Sequence, residues 1–249
     1  MTIQLRSWAA SHPGFVRTHN EDAFVDRPDL GVWAVADGAG GHDAGELASG
    51  MIVEALSALP PGLGAADALT EIRSRVAAVH ERLITEADAR GPEVIIASTV
   101  VILCVRDSHF ACLWAGDSRA YLLSDGTLSQ ITHDHSLVQE LVDAGQITPE
   151  AAEGHPHANI VTRAVGARET DGFALDKTTD QLRPGERILL CSDGLIKSVP
   201  ENKFPALLAD DGEDPAQRLV AAALANRASD NVTAIVVAAL DFCTVVRAL

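Results

Sequence analysis

The sequence has little cysteine, few positive charges and no long hydrophobic run. Its four cysteines, Cys104, Cys112, Cys191 and Cys243, form no Cys-x-x-Cys pair, and three of them lie in apolar runs typical of strands. A disulfide-stapled domain would instead show cysteines paired at framework spacing. The pattern predicts buried, reduced thiols and a cytoplasmic location.

Neither a membrane span nor a signal peptide is expected. No stretch approaches the ~18 uninterrupted apolar residues of a spanning helix. Residues 1–10 contain no long apolar segment of the kind that a signal peptide needs.

The charge is strongly acidic: 35 Asp and Glu against 19 Lys and Arg give a net charge of −16. Such a surface repels the phosphates of nucleic acids and anionic lipids, so we expect no nucleic-acid partner and no membrane insertion. The excess of carboxylates also favours local binding of divalent cations. An acidic surface that serves only solubility is the alternative for most of this charge.

The chain is long enough for a sizeable core, because hydrophobic residues make up 47% of its 249 positions. No low-complexity linker or internal repeat divides it, so we expect residues 1–249 to form a single domain. Short turns between the middle strands favour antiparallel pairing. The order of strands, long helices, strands, helices and strand favours an α+β layered sandwich over a doubly wound parallel sheet.

The predicted elements follow apolar periodicity and turn residues. Helices are predicted at 46–59, 66–90, 136–144 and 215–225. Strands are predicted at 31–36, 98–105, 110–115, 119–124, 127–131, 172–178, 187–191 and 232–240. Asp125-Gly126 separates two of these strands and predicts a tight hairpin turn.

Four aspartates lie where an apolar strand meets a turn: Asp37, Asp117, Asp193 and Asp230. Strand ends are rigid, so carboxylates there are held at fixed positions. If these ends converge, they form a cage of hard oxygen ligands suited to Mg²⁺ or Mn²⁺. The alternative is that each aspartate only marks a turn.

A glycine-rich segment and an arginine are further candidates for ligand contact. Gly38-Ala39-Gly40-Gly41-His42 follows Asp37 and lets the backbone approach a ligand closely, but no Gly-Lys-Ser/Thr follows, so this is not a Walker loop. Arg17 carries a guanidinium that is suited to gripping two phosphate oxygens. The alternative for Arg17 is a salt bridge to Glu21 or Asp22.

Taken together, seven segments resemble the metal-dependent protein phosphatase family of the protein phosphatase 2C type, and most closely its compact bacterial serine/threonine phosphatases. The matching segments are 14–22, 35–49, 116–122, 131–137, 155–166, 191–195 and 229–236. Their number and order make the match specific. The resemblance implies a four-layer α-β-β-α sandwich, in which helices flank two antiparallel sheets and the site lies at one edge between the sheets.

The resemblance also implies a set of metal ligands. Asp37 would bridge two Mn²⁺ or Mg²⁺ ions, and the carbonyl of Gly38 would bind one of them. Asp193 and Asp230 would complete the ligands of the first ion. Asp117, with Asp193, would hold the weaker third ion often seen in bacterial members.

Other residues would support the reaction. Arg17 would hold the substrate phosphate, Glu21 would act through a metal-bound water, and Asp22 and Asn231 would support the ligands. The implied activity is hydrolysis of phosphoserine and phosphothreonine by direct attack of a metal-bridging water or hydroxide. The partners would be phosphorylated proteins, including a cognate bacterial serine/threonine kinase, and the enzyme would act as a monomer in bacterial signalling.

This chain departs from the family pattern at the general acid. Eukaryotic members have histidine directly after the Asp-Gly pair and bacterial members often have methionine, whereas this chain has Ala39. His42 or a metal-bound water could replace it. A polar flap is expected at about 134–166, with His135 and His155 as candidate contacts or as structural residues.

Two other functions compete with an active phosphatase. A non-catalytic module of the same fold would bind a phosphoprotein, but it has no chemical need for the four aspartates. A two-metal nuclease or a phosphatase for small metabolites is the third possibility, and the acidic surface argues against nucleic acid.

Overall fold

In this computed structural model, residues 3–40, 43–168, 172–209 and 212–240 are described, and they form eleven strands and seven α-helices. The strands are β1 Gln4–His12, β2 Asp22–Arg27, β3 Val32–Gly40, β4 Ile96–Ser98, β5 Val100–Arg106, β6 His109–Ala115, β7 Arg119–Ser124, β8 Thr127–Gln130, β9 Asp176–Gln181, β10 Arg187–Cys191 and β11 Val232–Leu240. The helices are α1 Ala44–Ser57, α2 Ala65–Arg90, α3 Leu137–Asp143, α4 Pro149–Glu153, α5 Asp193–Ser198, α6 Phe204–Leu208 and α7 Pro215–Ala225, with a single 3-10 turn at Glu201–Lys203.

The strands build two antiparallel sheets. One sheet has the order β1-β11-β10-β7-β8. The other has the order β2-β3-β5-β6-β9, and β4 pairs with β3 beside it. The prediction of antiparallel pairing in an α+β sandwich is confirmed.

Each sheet has two buried faces, because side chains alternate along its strands. On β5, Val101 and Leu103 pack between the sheets, while Val100 and Ile102 pack against α1 and α2. The sheet containing β11 likewise packs its outer face against α5, α6 and α7. The result is the four-layer α-β-β-α arrangement.

Several predicted elements have the bounds that periodicity indicated. Strands 119–124, 187–191 and 232–240 and helix 215–225 coincide with β7, β10, β11 and α7. Asp125 and Gly126 have φ angles of 48° and 78°, as a two-residue hairpin turn between β7 and β8 requires. Cys104, Cys112 and Cys191 are buried free thiols, while Cys243 lies outside the described residues. None of the described helices could cross a membrane.

Two predicted strands were wrong in detail. The run 98–105 is divided into β4 and β5, because the amide of Thr99 turns to donate to the carbonyl of Asp37 at 2.9 Å. The run 172–178 is mostly loop, and β9 begins at Asp176. Its apolar residues pack in the core without forming a strand. Phe173 stacks on His80, with ring centroids 4.3 Å apart, and Leu175 is buried in the helix-facing core.

Candidate metal centre

The four predicted aspartates come from both sheets and meet at one edge of the sandwich. Asp37 lies inside β3, not at the end of it as predicted, and is paired in register with Asp22 of β2. Asp117 follows β6, Asp193 begins α5 directly after β10, and Asp230 precedes β11.

Five carboxyls, those of the four predicted aspartates and of Asp22, lie close enough for their charges to interact. The charge of Asp37 interacts with those of the other four. We call Asp22, Asp37, Asp117, Asp193 and Asp230 the carboxylate cluster. Carboxyls that are far apart in the sequence are thus close enough in the fold for their charges to interact.

Asp22, a member of the cluster, links the two sheets. Its Oδ2 accepts hydrogen bonds from Ser192 Oγ and Thr233 Oγ1, both at 2.7 Å, across the gap from β2 to the β10–β11 pair. Its Oδ1 is buried and has no hydrogen-bond partner among the described residues. Burial of a carboxylate oxygen without a donor is costly unless a proton or a cation satisfies it.

The cluster resists full ionisation. Burial, followed by the charges of Asp22, Asp193, Asp117 and Asp230, raises the pKa of Asp37 well above its ordinary value. Burial is also the main cause that raises the pKa of Asp22 to about 7 and that of Asp117 to about 7. Carboxyls in such a site bind either protons or cations at neutral pH.

Arg17 is one of two positively charged side chains that pair with the cluster. Its Nε lies 2.8 Å from Asp230 Oδ1, and its second nitrogen donates to Asp230 Oδ2 at 3.2 Å, so the guanidinium grips the carboxylate with two bonds. The expected alternative partners, Glu21 and Asp22, were wrong, because Asp230 reaches Arg17 from the opposite end of the chain. The Arg17 side chain is 51% exposed, which leaves its outer edge open to solvent.

Lys197 supplies the second cation, and sequence reasoning missed it. Its Nζ donates to Asp193 Oδ2. Asp193 and Lys197 are four residues apart on α5, the spacing at which side chains meet on one helix face. That spacing was the available signal, once a helix was placed after β10.

Asn231 holds the backbone near the cluster through hydrogen bonds of its side-chain amide. Its Oδ1 accepts from the amide of Glu21 at 2.8 Å. Its Nδ2 donates to the carbonyls of Pro13 and His19, at 3.0 and 2.9 Å. Asn231 thus ties the segment that carries Arg17 and Glu21 to the start of β11. Burial raises the pKa of Glu21 above its usual value.

Ser192 and Thr233 also belong to this support and were not predicted. The amide of Thr233 donates to Ser192 Oγ at 3.0 Å, and the amide of Ser192 donates to the Thr233 carbonyl at 3.1 Å. The pair locks β10 to β11 where both strands approach Asp22. Hydroxyl residues at strand ends are common, so sequence alone offered no sign of this role.

The close approach of α5 to β11 requires glycine at position 194. A Cβ there would lie 1.9 Å from the carbonyl oxygen of Asn231, which is backbone and cannot rotate away. We expect Gly194→Ala to lower the free energy of unfolding by at least about 2 kcal/mol, because an extra carbon is forced into a filled space. Thermal denaturation should show a loss of about 4–8 °C.

Gly50→Ala is the matched control for Gly194→Ala. Gly50 lies within α1, and a Cβ there meets nothing within 4 Å. Alanine is the better helix former, so this variant should be stabilised by about 0.5–1 kcal/mol. Equal melting temperatures for Gly194→Ala and the unmodified chain would contradict the proposed packing.

The histidines predicted near the site have different outcomes. His42 lies outside the described residues, and Ala39 is exposed on β3. His135 Nδ1 accepts from the amide of Gly116 at 3.1 Å, and its Nε2 lies 3.3 Å from Asp176 Oδ2, so it fixes local structure. His155 Nδ1 accepts from the amide of His157 at 3.2 Å.

The predicted cage of oxygen ligands is not formed by the side chains of the cluster alone. Within 3–40, 43–168, 172–209 and 212–240, no three His, Cys, Asp or Glu side chains are arranged to enclose an ion by themselves. Mg²⁺ typically keeps several waters and takes one or two carboxylates. The orphaned oxygen of Asp22 and the raised pKa values of Asp22, Asp37 and Asp117 indicate that Arg17 and Lys197 neutralise the carboxylates only in part.

The Protein phosphatase 2C family model matches residues 16–232. The chain belongs to the protein phosphatase 2C family. The predicted family resemblance is therefore confirmed.

Two curated relatives are similar to this chain over most of its length. The serine/threonine protein phosphatase PstP of Mycobacterium tuberculosis is 36% identical over 97% of this chain, and the chain spans about half of that protein's length, 46%. The serine/threonine phosphatase stp of Listeria welshimeri is 35% identical over 90% of this chain and 92% of that protein.

Solved structures of the family share the fold. PppA, described as a key regulatory component of T6SS in Pseudomonas aeruginosa, superposes with a TM-score of 0.87 at 41% identity, covering 96% of this chain and 99% of that one. The catalytic domain of PstP, solved in complex with two manganese ions, superposes with a TM-score of 0.84 at 35% identity over 96% of this chain and all of that one. The predicted four-layer sandwich is therefore confirmed.

Proposed function

We propose that the chain is a metal-dependent serine/threonine phosphoprotein phosphatase. The observation that carries the proposal is the convergence of Asp37, Asp117, Asp193 and Asp230 at one edge between the sheets, with Arg17 beside them. Carboxylates this close together repel one another and destabilise the fold unless cations neutralise them. A non-catalytic binding module would gain nothing from such a cluster.

A dinuclear site is the form we propose for the metal. Asp37, the Gly38 carbonyl, Asp193 and Asp230 would hold two Mn²⁺ or Mg²⁺ ions. When bound, such ions neutralise phosphate charge and make water a better nucleophile. The two manganese ions bound to the PstP catalytic domain support this assignment.

Arg17 is proposed as the phosphate-binding residue. Its fork holds the Asp230 carboxylate through two oxygens, and a phosphate group also offers two oxygens to a guanidinium. Because half of the side chain is exposed, it can turn from Asp230 towards a phosphate without leaving a buried charge unpaired. Glu21, Asp22 and Asn231 would keep the surrounding backbone and carboxylates in place.

We propose phosphoserine and phosphothreonine proteins as substrates, including a bacterial serine/threonine kinase, and a cytoplasmic, monomeric enzyme. Serine/threonine phosphatase names among the relatives support the substrate class. The net charge of −16 argues against nucleic-acid substrates. His42 remains our proposed general acid, with water as the alternative donor.

The proposal predicts hydrolysis of p-nitrophenyl phosphate and phosphothreonine peptides only with Mn²⁺ or Mg²⁺ present. EDTA should lower the rate by at least about 10²-fold, since the ions would supply most of the charge stabilisation. Readdition of Mn²⁺ should restore it. Undiminished hydrolysis in EDTA, or faster hydrolysis of DNA than of phosphopeptides, would contradict the proposal.

A further inference from the structure

Lys197 puts a positive charge inside the carboxylate cluster, where the proposed reaction has no role for it. It pairs with Asp193, which is one of the proposed metal ligands. Asp193 is 18% exposed and Lys197 is 42% exposed, so the pair lies on the solvent-facing side of the cluster.

The charge of Lys197 also acts beyond its direct partner. It interacts with Asp117 as well as Asp193. Asp117 and Asp193 in turn repel one another, and Lys197 offsets that repulsion. These two aspartates are the residues that the family resemblance assigns to a third divalent ion.

We propose that Lys197 is a resident cation that takes the place of the third divalent ion between Asp117 and Asp193, so that the chain binds two ions and not three. The inference rests on the proposed two-ion site. A third ion would have to break the Lys197–Asp193 pair and then lie beside a like charge, and both steps oppose its binding.

The ammonium differs from a divalent ion in chemistry as well as charge. It neutralises about one carboxylate and donates hydrogen bonds, but it cannot act as a Lewis acid. It is also tethered to α5, so its occupancy does not depend on metal concentration. Lys197 would therefore act as a positioning residue, holding Asp193 and Asp117 against their mutual repulsion.

The test is the number of Mn²⁺ ions bound per chain without substrate, measured by calorimetry and by electron paramagnetic resonance of free Mn²⁺. We expect two ions on the unmodified chain up to about millimolar Mn²⁺, the range of weak sites. Lys197→Ala and Lys197→Asp should bind three, with the third site at least about tenfold tighter than any third site on the unmodified chain. Lys197→Arg, which keeps the charge, should bind two.

Arg90→Ala is the control for loss of a helical ion pair. Arg90 pairs with Glu86 at the same i,i+4 spacing and is also 42% exposed, on α2. It should bind two ions. Far-UV circular dichroism checks that each variant is folded, and Lys197→Asp keeps the test valid if Lys197→Ala does not fold.

Three ions on the unmodified chain, or two on both Lys197→Ala and Lys197→Asp, would overturn the role of Lys197 and leave the proposed phosphatase intact. Fewer than two ions on the unmodified chain would instead overturn the two-ion site, and the inference with it. Three ions on Lys197→Arg would show that charge at this position does not exclude the third ion.

Discussion

Asp37→Asn is expected to lower kcat for phosphopeptide hydrolysis by at least about 10²-fold, because it removes the charge at the centre of the carboxylate cluster. The same change should stabilise the metal-free protein. Asparagine is nearly isosteric with aspartate and is neutral, so folding no longer has to protonate a carboxyl whose pKa is raised by burial and by the charges of its four neighbours. We expect the melting temperature in EDTA to rise by about 2–6 °C.

Opposite effects on activity and stability separate a functional role from a structural one. A structural residue loses both on mutation, whereas a charge kept for binding cations destabilises the fold that carries it. Asp193→Asn should lose activity similarly, but it also frees Lys197, so Asp37→Asn is the cleaner variant. Phosphopeptide kinetics with Mn²⁺ and thermal denaturation in EDTA provide the two measurements.

Asp125→Asn is the control for Asp37→Asn. Asp125 is exposed in the β7–β8 turn, and asparagine tolerates its positive φ equally well. It should change neither kcat nor the melting temperature. An Asp37→Asn variant that keeps full activity, or that unfolds in EDTA at a lower temperature than the unmodified chain, would contradict the assigned role.

The positions of the aspartates proposed to bind metal were predictable because their signal is local. Asp117, Asp193 and Asp230 each adjoin an apolar strand, and rigid ends of this kind converge in a layered fold. Sequence reasoning placed Asp37 just past its strand, since Gly38 and Gly40 suggested a turn. In the structure β3 continues through Gly40, because β4 pairs with it at Gly38–Ser98.

Elements whose partners lie far away in the chain were harder to predict. β1 and β2 were missed, because Gln4–His12 and Asp22–Arg27 mix polar with apolar residues and owe their strand structure to pairing with β11 and β3. Lys197 was missed although its partner Asp193 is only four residues away, because no helix was predicted after β10. Arg17 was given the wrong partner for the reason that applies to β1 and β2. The partner of Arg17 is 213 residues away, which no local pattern indicates.

Stability of the metal-free protein is expected to fall as pH rises from about 4 to about 7. The folded chain holds the pKa of Asp22 and that of Asp117 at about 7, against an ordinary value of 3.8. Between those values the folded state binds more protons than the unfolded state, so raising the pH favours unfolding. One such shift corresponds to roughly 4 kcal/mol between the two ends of the range.

The variant Asp22→Asn measures how much Asp22 contributes to this pH dependence of stability. The variant has no carboxyl to deprotonate at position 22, yet its side-chain oxygen can still accept from Ser192 and Thr233. In EDTA its stability relative to the unmodified chain should therefore increase as pH rises from 4 to 7. The measurement is urea denaturation of both proteins at several pH values, and parallel stability curves would contradict the shift at Asp22.

Mn²⁺ should reverse the slope for the unmodified chain. Divalent ions bind the ionised cluster and compete with its protons, so the stabilisation by Mn²⁺ grows with pH as the carboxyls of the cluster ionise. At pH 7 the ions replace the protons that the cluster holds at low pH, and the fold no longer depends on protonated aspartates. A Mn²⁺ stabilisation independent of pH would mean that the ions bind elsewhere, because binding to this cluster must release protons.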